Sequence, residues 1–550
     1  MSKTTKKSSA NKKEIVFEEA LWDAANKLRG SVESAEYKHI VLSLIFLKFI
    51  SDKFEAQREK LKAEGMGDYV DMVEFYTKDN VFYLPEEARW STIQKQAKQD
   101  DIAVKIDTAL HTVEKTNPSL KGALPDNYFS RLSLDVSKLA ALIDTINNIN
   151  TVANECDMSE EDLVGRVYEY FLGKFAANEG KGGGEFYTPK SVVTLISDML
   201  EPYKGKIYDP CCGSGGMFVQ SLKFIDSHKG NRKDISIYGQ EYTNTTYKLA
   251  KMNLAVRGIS ANLGDIAADT FFKDQHPDLK ADYIMANPPF NQKQWRADNE
   301  LTDDPRWAGF DVPPTGNANY AWIMHMISKL SEHGTAGFVL ANGSMSSNTS
   351  GEGAIRQKII ENDLVDCMIA LPGQLFYTTQ IPVCLWFISK NKREDKARGY
   401  RNRQGETLFI DAREMGSMIS RVHKELTTED IAKIANTYHA WRQDNQSIEQ
   451  ALAEQQNDAP TQELLHEHKE LDAYEDVAGF CKSATFDEIK ANDYVLTPGR
   501  FVGAAAIEDD GVPFEVKMRE LSQTLFRQMD QAEKLDNAIR QNLVELGYVE

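Results

Sequence analysis

Residues 206–218 read KIYDPCCGSGGMF. A short strand-forming run ends on Asp209, a turn follows with Gly213, Gly215 and Gly216, and apolar residues resume at Met217 and Phe218. The pattern is strand, glycine turn, helix. Glycines let the backbone come close to a ligand, and the first turn of a helix leaves amide groups unpaired. No Lys-Ser/Thr follows the glycines, so the turn is not a P-loop, and its spacing is not a full G-x-G-x-x-G. Taken alone, it is a weak pointer to a nucleotide.

Working outward, the chain from about residue 160 alternates helical segments with short apolar runs. Helices are predicted at 163–176 and 191–200, and strands at 206–209, 235–241, 282–287, 335–341, 364–371 and 383–389. That alternation predicts an α/β fold with a mostly parallel sheet covered on both faces. Ligands of such sheets bind beyond the carboxyl ends of the strands. The stretch 390–403 carries seven Lys/Arg and is expected to be a solvated loop joining two strands of a hairpin. Residues 425–475 are polar and helical.

Upstream, Glu14 to about 155 is helical throughout. Phe17, Leu21, Ala24 and Leu28 share one face of a first helix that Gly30 closes; Tyr37–Lys60 is a second, and 129–150 a third. Residues 1–13 hold five lysines and are read as a disordered tail, either solubilising or phosphate-contacting. At the other end a long helix carries Met518, Leu521, Leu525, Met529, Ala532, Leu535, Ile539, Leu543 and Leu546 at spacings of three and four. Such a stripe must pack on its own domain or on a partner helix; the partner is the favoured reading.

Composition narrows the class. The 550 residues are 41% hydrophobic and 27% charged, and the run at 40–50 is far short of the roughly 18–20 apolar residues a membrane span needs. No secretory signal follows the basic N-terminus. Six cysteines form no C-x-x-C pair and no zinc spacing, which suits a reduced cytoplasmic protein and predicts no metal site. The net charge of −19 means that, if the chain acts on DNA, its basic residues are concentrated or a partner supplies the grip.

Three strand ends carry chemistry. Glu241 closes the second strand, where a carboxylate can accept both ribose hydroxyls of an adenosine. Asp265, in NLGD, can accept from an adenine amino group. With the glycine turn, these acids suggest an adenosine-containing cofactor across the sheet edge. The third stretch is DYIMANPPFNQKQW, 282–295. The Asn287 side-chain oxygen and the Pro288 carbonyl are two acceptors held close together, and Pro289 stiffens them. An exocyclic amine has two hydrogens to offer such a pair. Held that way, its lone pair faces an electrophile, and no strong base is needed because the proton becomes acidic once the new bond forms. Phe290 offers a face on which a heterocycle can stack. The stretch reads as an amine-methylating site, its electrophile a methyl on sulfonium.

With these motifs, the chain resembles the S-adenosylmethionine-dependent amino-methyltransferases of DNA adenine. GGGEFYTP (182–189), DPRWAGFDVPP and NANYAWIMHMI (within 304–327) and TFDEIKANDYVLTPGRFVG (485–503) are similar to the modification subunit of type I restriction–modification systems. The resemblance covers nearly the whole chain. It implies a Rossmann-like methyltransferase sheet with an all-helical N-terminal domain and a C-terminal helical tail: a basic tail at 1–13, helices at 14–155, a catalytic domain at 156–480 and a docking segment at 481–550. Residue by residue, it implies that Glu185, Phe186, Tyr187, Thr188, Pro189 and Lys190 line the methionine side of the cofactor. Asp209, Gly213, Ser214, Gly215 and Gly216 would wrap it, Glu241 would hold the ribose and Asp265 would sit by the adenine. Asn287, Pro288, Pro289 and Phe290 would form the catalytic motif holding a flipped adenine. Cys211–Cys212 departs from the small residues common there, with no change of function expected.

The implied partners are double-stranded DNA, a specificity subunit that docks the last helix, a restriction (motor and nuclease) subunit and a second copy of this chain. The loop 295–320, with Trp295 and Trp307, is either a segment that orders over DNA or an exposed connection. The competing readings are an idle assembly scaffold and a methylase of another amine, either protein glutamine or cytosine N4. A cytosine C5 methylase is disfavoured because Pro210-Cys211 lies in the cofactor turn, and a motor is excluded because no Walker A sequence occurs.

Overall fold

The computed structural model describes Trp22, Asn26, Tyr170 and residues 34–79, 81–132, 134–148, 188–227, 230–376, 380–421, 423–454, 459–504 and 514–545. The basic tail, the helices expected around 17–28 and 163–176, and Glu185, Phe186 and Tyr187 therefore fall outside the described residues, apart from Trp22, Asn26 and Tyr170. The chain divides into two compact units, 1–502 and 503–550.

Helix α1 (Ser34–Ala63) is buried on every side from Ile40 to Ile50. A helix apolar all round belongs at the centre of a bundle, and α2 (Ile102–Thr116) and α3 (Val136–Asn147) share its core. The helix expected over 129–150 is two. Asp107 of α2 accepts from Phe129 N (2.9 Å) and Ser130 N (2.8 Å), capping the short turn Tyr128–Arg131. Asp135 then caps α3 by accepting from Lys138 N at 3.0 Å. A buried carboxylate reaching in from another helix decides the break, and the local apolar period does not register it.

Among the described residues, eleven strands follow in chain order: β1 (Gly205–Asp209), β2 (Ile235–Gly239), β3 (Ala261–Asn262), β4 (Ala281–Ala286), β5 (Leu330–Ala341), β6 (Val365–Ala370), β7 (Val383–Ser389), β8 (Glu406–Asp411), β9 (Ser417–Met418), β10 (Lys424–Glu425) and β11 (Cys481–Thr485). Nine form one sheet in the order β11-β8-β6-β7-β5-β4-β1-β2-β3, and β9 and β10 pair apart. From β3 to β5 the neighbours are parallel; β7 runs antiparallel between β5 and β6, and β11 antiparallel to β8. Each of the six expected strands is present. Every residue of β6 and β7 is buried, as strands covered on both faces should be. One face carries α4 (Lys190–Leu200), α5 (Gly216–Ser227), α6 (Asn244–Val256) and α9 (Thr428–Arg442), and the other carries α7 (Asn319–Lys329) and α8 (Glu352–Glu361).

The basic stretch 390–403 is neither a hairpin loop nor simply solvated. Strand β6 lies between β7 and β8, so the connection crosses over. Lys392, 4% exposed, donates to Asp363 (2.6 Å) and Val365 O (3.0 Å). Arg403, 1% exposed, donates to Asp366 at 3.3 Å, and Arg401 to Glu406 at 2.8 Å. The segment 481–502 also belongs to the sheet unit, since β11 completes its edge; the boundary falls after Val502 rather than at 480.

The helical bundle docks on α6. Leu249, Met252 and Val256 complete its core, while Lys248 and Lys251 donate to Leu124 O (2.9 Å) and Lys121 O (3.0 Å). Opposite, Glu201 clamps α4 to α9 and to α11 (Ala459–Lys469, after α10, Asn445–Glu454), accepting from His468 Nε2 at 2.7 Å and Arg442 Nη2 at 3.0 Å. This cluster of Glu201, His439 and His468 has metal-like spacing. However, Arg442 donates to His439 Nδ1 at 2.8 Å, which puts the ring proton on Nε2, where it is donated to Asp198 O at 2.9 Å. A ring nitrogen carrying a proton offers no lone pair to a metal, and the group acts as a hydrogen-bonded clamp. In the second unit, α12 (Phe514–Glu545) leaves Met518, Leu521, Leu525, Met529, Leu535 and Ile539 exposed. No helix among the described residues is long and apolar enough to cross a membrane.

Burial pushes His439 and His325 down to about 3. Below the ordinary histidine value the unfolded chain therefore binds more protons than the folded one. Stability should be complete above about pH 6.5 and fall on acidification by about 1.4 kcal/mol per pH unit for each such histidine. Urea unfolding at neutral and mildly acidic pH measures this; equal midpoints would contradict it.

Candidate active site at the carboxyl edge of the sheet

Strand β1 lies between β2 and β4, so the connections leaving it diverge and open a crevice at their carboxyl ends. Register aligns those ends: Asp209 pairs with Gly239, and Tyr208 with both Tyr238 and Ile284. The glycine turn, Gln240–Glu241 and Asn287 therefore meet along one edge.

The turn is held from within. Asp209, 2% exposed, accepts from Cys211 N at 2.9 Å, Gln240 N donates to Asp209 O at 3.0 Å, and Cys212 N to Gln240 O at 2.9 Å. Burial, with the nearby Glu241 charge, pushes the Asp209 carboxyl up to about 7, against the backbone hydrogen bond from Cys211. Gly213 and Gly215 have φ of +54° and +82°, a region that favours glycine. Among the described residues, a Cβ on Gly213 or Gly216 would meet nothing within 4 Å. Ser214 O accepts from Asn253 of α6 at 2.7 Å, which ties the turn to the helix on which the bundle docks.

Glu241 faces the same opening. Its Oε2 accepts from Gly213 N at 3.1 Å and its Oε1 from Thr243 N at 2.8 Å. Ala268 N donates to Glu241 O at 2.9 Å and brings the segment after β3 alongside, with Asp265 exposed. Two glutamines that the sequence reading missed hold this segment. Gln240, fully buried, donates to Ala268 O (3.1 Å) and Lys273 O (2.8 Å) and accepts from Gln275 N (3.1 Å). Gln275 in turn accepts from Asp265 N (2.9 Å) and Ile266 N (3.2 Å). The one sequence signal was a glutamine beside the strand-end acid, which is too common to interpret.

At the end of β4, Asn287 Nδ2 donates to Thr188 Oγ1 at 2.9 Å, and its buried Oδ1 has no partner among the described residues. A buried carbonyl left unpaired costs about 1–3 kcal/mol, and such an acceptor in a crevice is suited to a donor from outside. Phe290 packs edge-on against Phe376, ring centroids 5.6 Å apart. Phe376, from the connection between β6 and β7, is a second aromatic that the sequence reading did not single out. Pro189 is buried at the N-terminus of α4 and Lys190 is exposed.

The loop after Phe290 is folded rather than open. Its neck is closed by Gln294 N to Thr315 O and Ala318 N to Gln292 O, both 3.0 Å. Trp295 and Trp307, 5% and 3% exposed, are anchors in the core under α7, not surfaces waiting to order.

Fold and edge together are those of a methyltransferase: residues 159–510 match the N-6 DNA methylase family, and 17–146 match the HsdM N-terminal domain. The HindI type I restriction enzyme methylase subunit of Haemophilus influenzae is 47% identical over 84% of this chain and 100% of its own. The MjaIX methylase subunit of Methanocaldococcus jannaschii is 39% identical over 97% and 92%. In structure, the type I restriction–modification methyltransferase subunit of Streptococcus thermophilus superposes with a TM-score of 0.68 at 22% identity, over 89% of this chain and 99% of that one. The chain belongs to the methylase subunits of type I restriction–modification systems.

Replacing Gln240 by leucine strands Ala268 O, Lys273 O and Gln275 N. At roughly 1–3 kcal/mol per buried group left unpaired, Gln240→Leu should lower the urea midpoint clearly and expose residues 265–275 to protease. An unchanged midpoint would show that the segment is held otherwise.

Proposed function

We propose that this chain methylates N6 of adenine in DNA, using S-adenosylmethionine, at sites chosen by a separate specificity subunit. The observation that carries the reading is the buried Oδ1 of Asn287, which has no partner among the described residues. With Thr188 occupying Nδ2, that oxygen is turned toward an incoming donor. Paired with the Pro288 carbonyl, it would accept both hydrogens of an exocyclic amine and leave the nitrogen lone pair directed across the crevice. Phe290 would stack on the base, and Phe376 braces that ring from the side. The amine proton would depart after the carbon–nitrogen bond forms, so no strong base is required.

The donor set beside it fits an adenosine cofactor. Glu241 would accept from the ribose hydroxyls beside the glycine turn, where no described residue lies within 4 Å of a Cβ on Gly213 or Gly216, and Asp265 would meet the adenine amino group. Asp209, Ser214 and Gly215 would shape the turn about it, with Thr188, Pro189 and Lys190 on its methionine side. Bound there, the cofactor would supply an electrophilic methyl on sulfonium.

The charge of −19 supports a division of labour in which partners provide much of the grip on the duplex. Extruding a base costs a few kcal/mol, which an assembly can offset. The exposed apolar stripe of α12 suits a docking helix for the specificity subunit, and a second copy of this chain and the restriction subunit would complete the complex.

Tritiated S-adenosylmethionine and mixed-sequence DNA, with this chain alone and with the specificity subunit, test the chemistry after digestion to nucleosides. Label is expected in N6-methyladenine only when the partner is present. Label in N4-methylcytosine would replace the substrate, and none at all, with cofactor bound, would indicate a scaffold. Asn287→Ala should cut turnover by about 10²-fold or more, by analogy with removing one transition-state hydrogen-bond partner, yet leave cofactor affinity near normal. Deleting residues beyond 515 should abolish co-purification with the specificity subunit while cofactor still binds; retained assembly would return α12 to an internal role.

A further inference from the structure

We propose that Arg306 is a positioning residue that couples the target-base pocket to the cofactor turn, so that a ligand in either tightens the other. The inference rests on the site reading just given.

Arg306 sits in the loop that begins at Asn291, directly after Phe290. In a DNA-modifying protein an arginine there invites a phosphate, but this one has no donor to spare. Its five N–H groups meet five acceptors: Nε reaches Asp304 Oδ1 (2.7 Å), Nη1 reaches Thr270 O (3.1 Å) and His325 Nδ1 (3.4 Å), and Nη2 reaches Phe271 O (2.6 Å) and Asp304 Oδ2 (2.5 Å). The Arg306 and Asp304 side chains are 10% and 11% exposed. The fork is therefore spent inside the protein.

What it grips decides its role. Thr270 and Phe271 belong to the segment after β3, beside Glu241. The Thr270 hydroxyl donates to Pro210 O at 2.6 Å, and Pro210 lies between Asp209 and Cys211 in the cofactor turn. Phe271 is packed against Trp295 of the same loop, ring centroids 4.6 Å apart, and against Trp322 at 4.4 Å. His325, the fifth acceptor, lies 3.1 Å from the Tyr208 hydroxyl of β1. A continuous path of hydrogen bonds and packed rings runs from Arg306 and Trp295, in the loop that follows the stacking phenylalanine, to the carbonyl beside Asp209. Lysine could not replace the fork, since three donors on one nitrogen cannot reach carbonyls of adjacent residues and a carboxylate in one plane.

The test uses the assembled methyltransferase, S-adenosylhomocysteine and a duplex that the wild-type assembly methylates. The dissociation constant of each ligand is measured with and without saturating amounts of the other, and linkage requires the two ratios to agree. Wild type is expected to show a ratio of about tenfold. Arg306→Lys should bring it to within about twofold of one, and so should Thr270→Val, which removes the hydroxyl bonded to Pro210 and leaves the loop untouched. If Arg306→Lys fails to fold, Thr270→Val decides alone. A merely structural arginine would lower stability without moving the ratio. A wild-type ratio of one, or a wild-type ratio kept in Thr270→Val, overturns the coupling; wild type that binds no S-adenosylhomocysteine overturns the cofactor reading beneath it.

Discussion

Everything at the working edge depends on parallel strand pairing about β1. Because β2 and β4 both run parallel to it, their carboxyl ends arrive at one edge, and because they lie on opposite sides, their connections part there. Residues 209, 241 and 287 are far apart in sequence, yet the ladder's register leaves them no freedom to drift. A slip of one residue in any of these strands would also turn buried side chains to the opposite face.

The edge is then stiffened by buried polar side chains rather than by apolar packing. Gln240, Gln275, Asn253 and Arg306 each make hydrogen bonds to backbone groups of segments that have no regular structure of their own. This is a costly way to build, since every such group must be matched. It suits a crevice whose walls are loops. The buried Oδ1 of Asn287, with no partner among the described residues, lies at that edge.

The same logic disposes of much of the positive charge. Lys392, Arg401 and Arg403 neutralise buried or half-buried carboxylates of the sheet's far half, and Lys248 and Lys251 pin the helical bundle to α6. Charges used in this way are not presented to a nucleic acid. The bundle, in turn, bears on the glycine turn through α6, whose Asn253 holds Ser214 O. These five basic side chains are thus committed inside the protein.

By itself the sequence determined the α/β class, the six strands from 206 to 389, the glycine turn and the strand end before Asn287. These signals are local: apolar runs of strand length, glycines where φ must be positive, prolines that end a ladder. It did not reveal β8 and β11 as sheet strands, the break at residues 132–135, or the internal use of the basic stretch at 390–403. Nor did it single out Gln240, Gln275, Phe376 and Arg306. Each of these depends on a partner tens to hundreds of residues away, and a glutamine or arginine bears no local mark of whether its donors will meet water or a buried carbonyl. Tertiary structure decided them because the cost of an unpaired buried polar group exists only once the chain has closed around it.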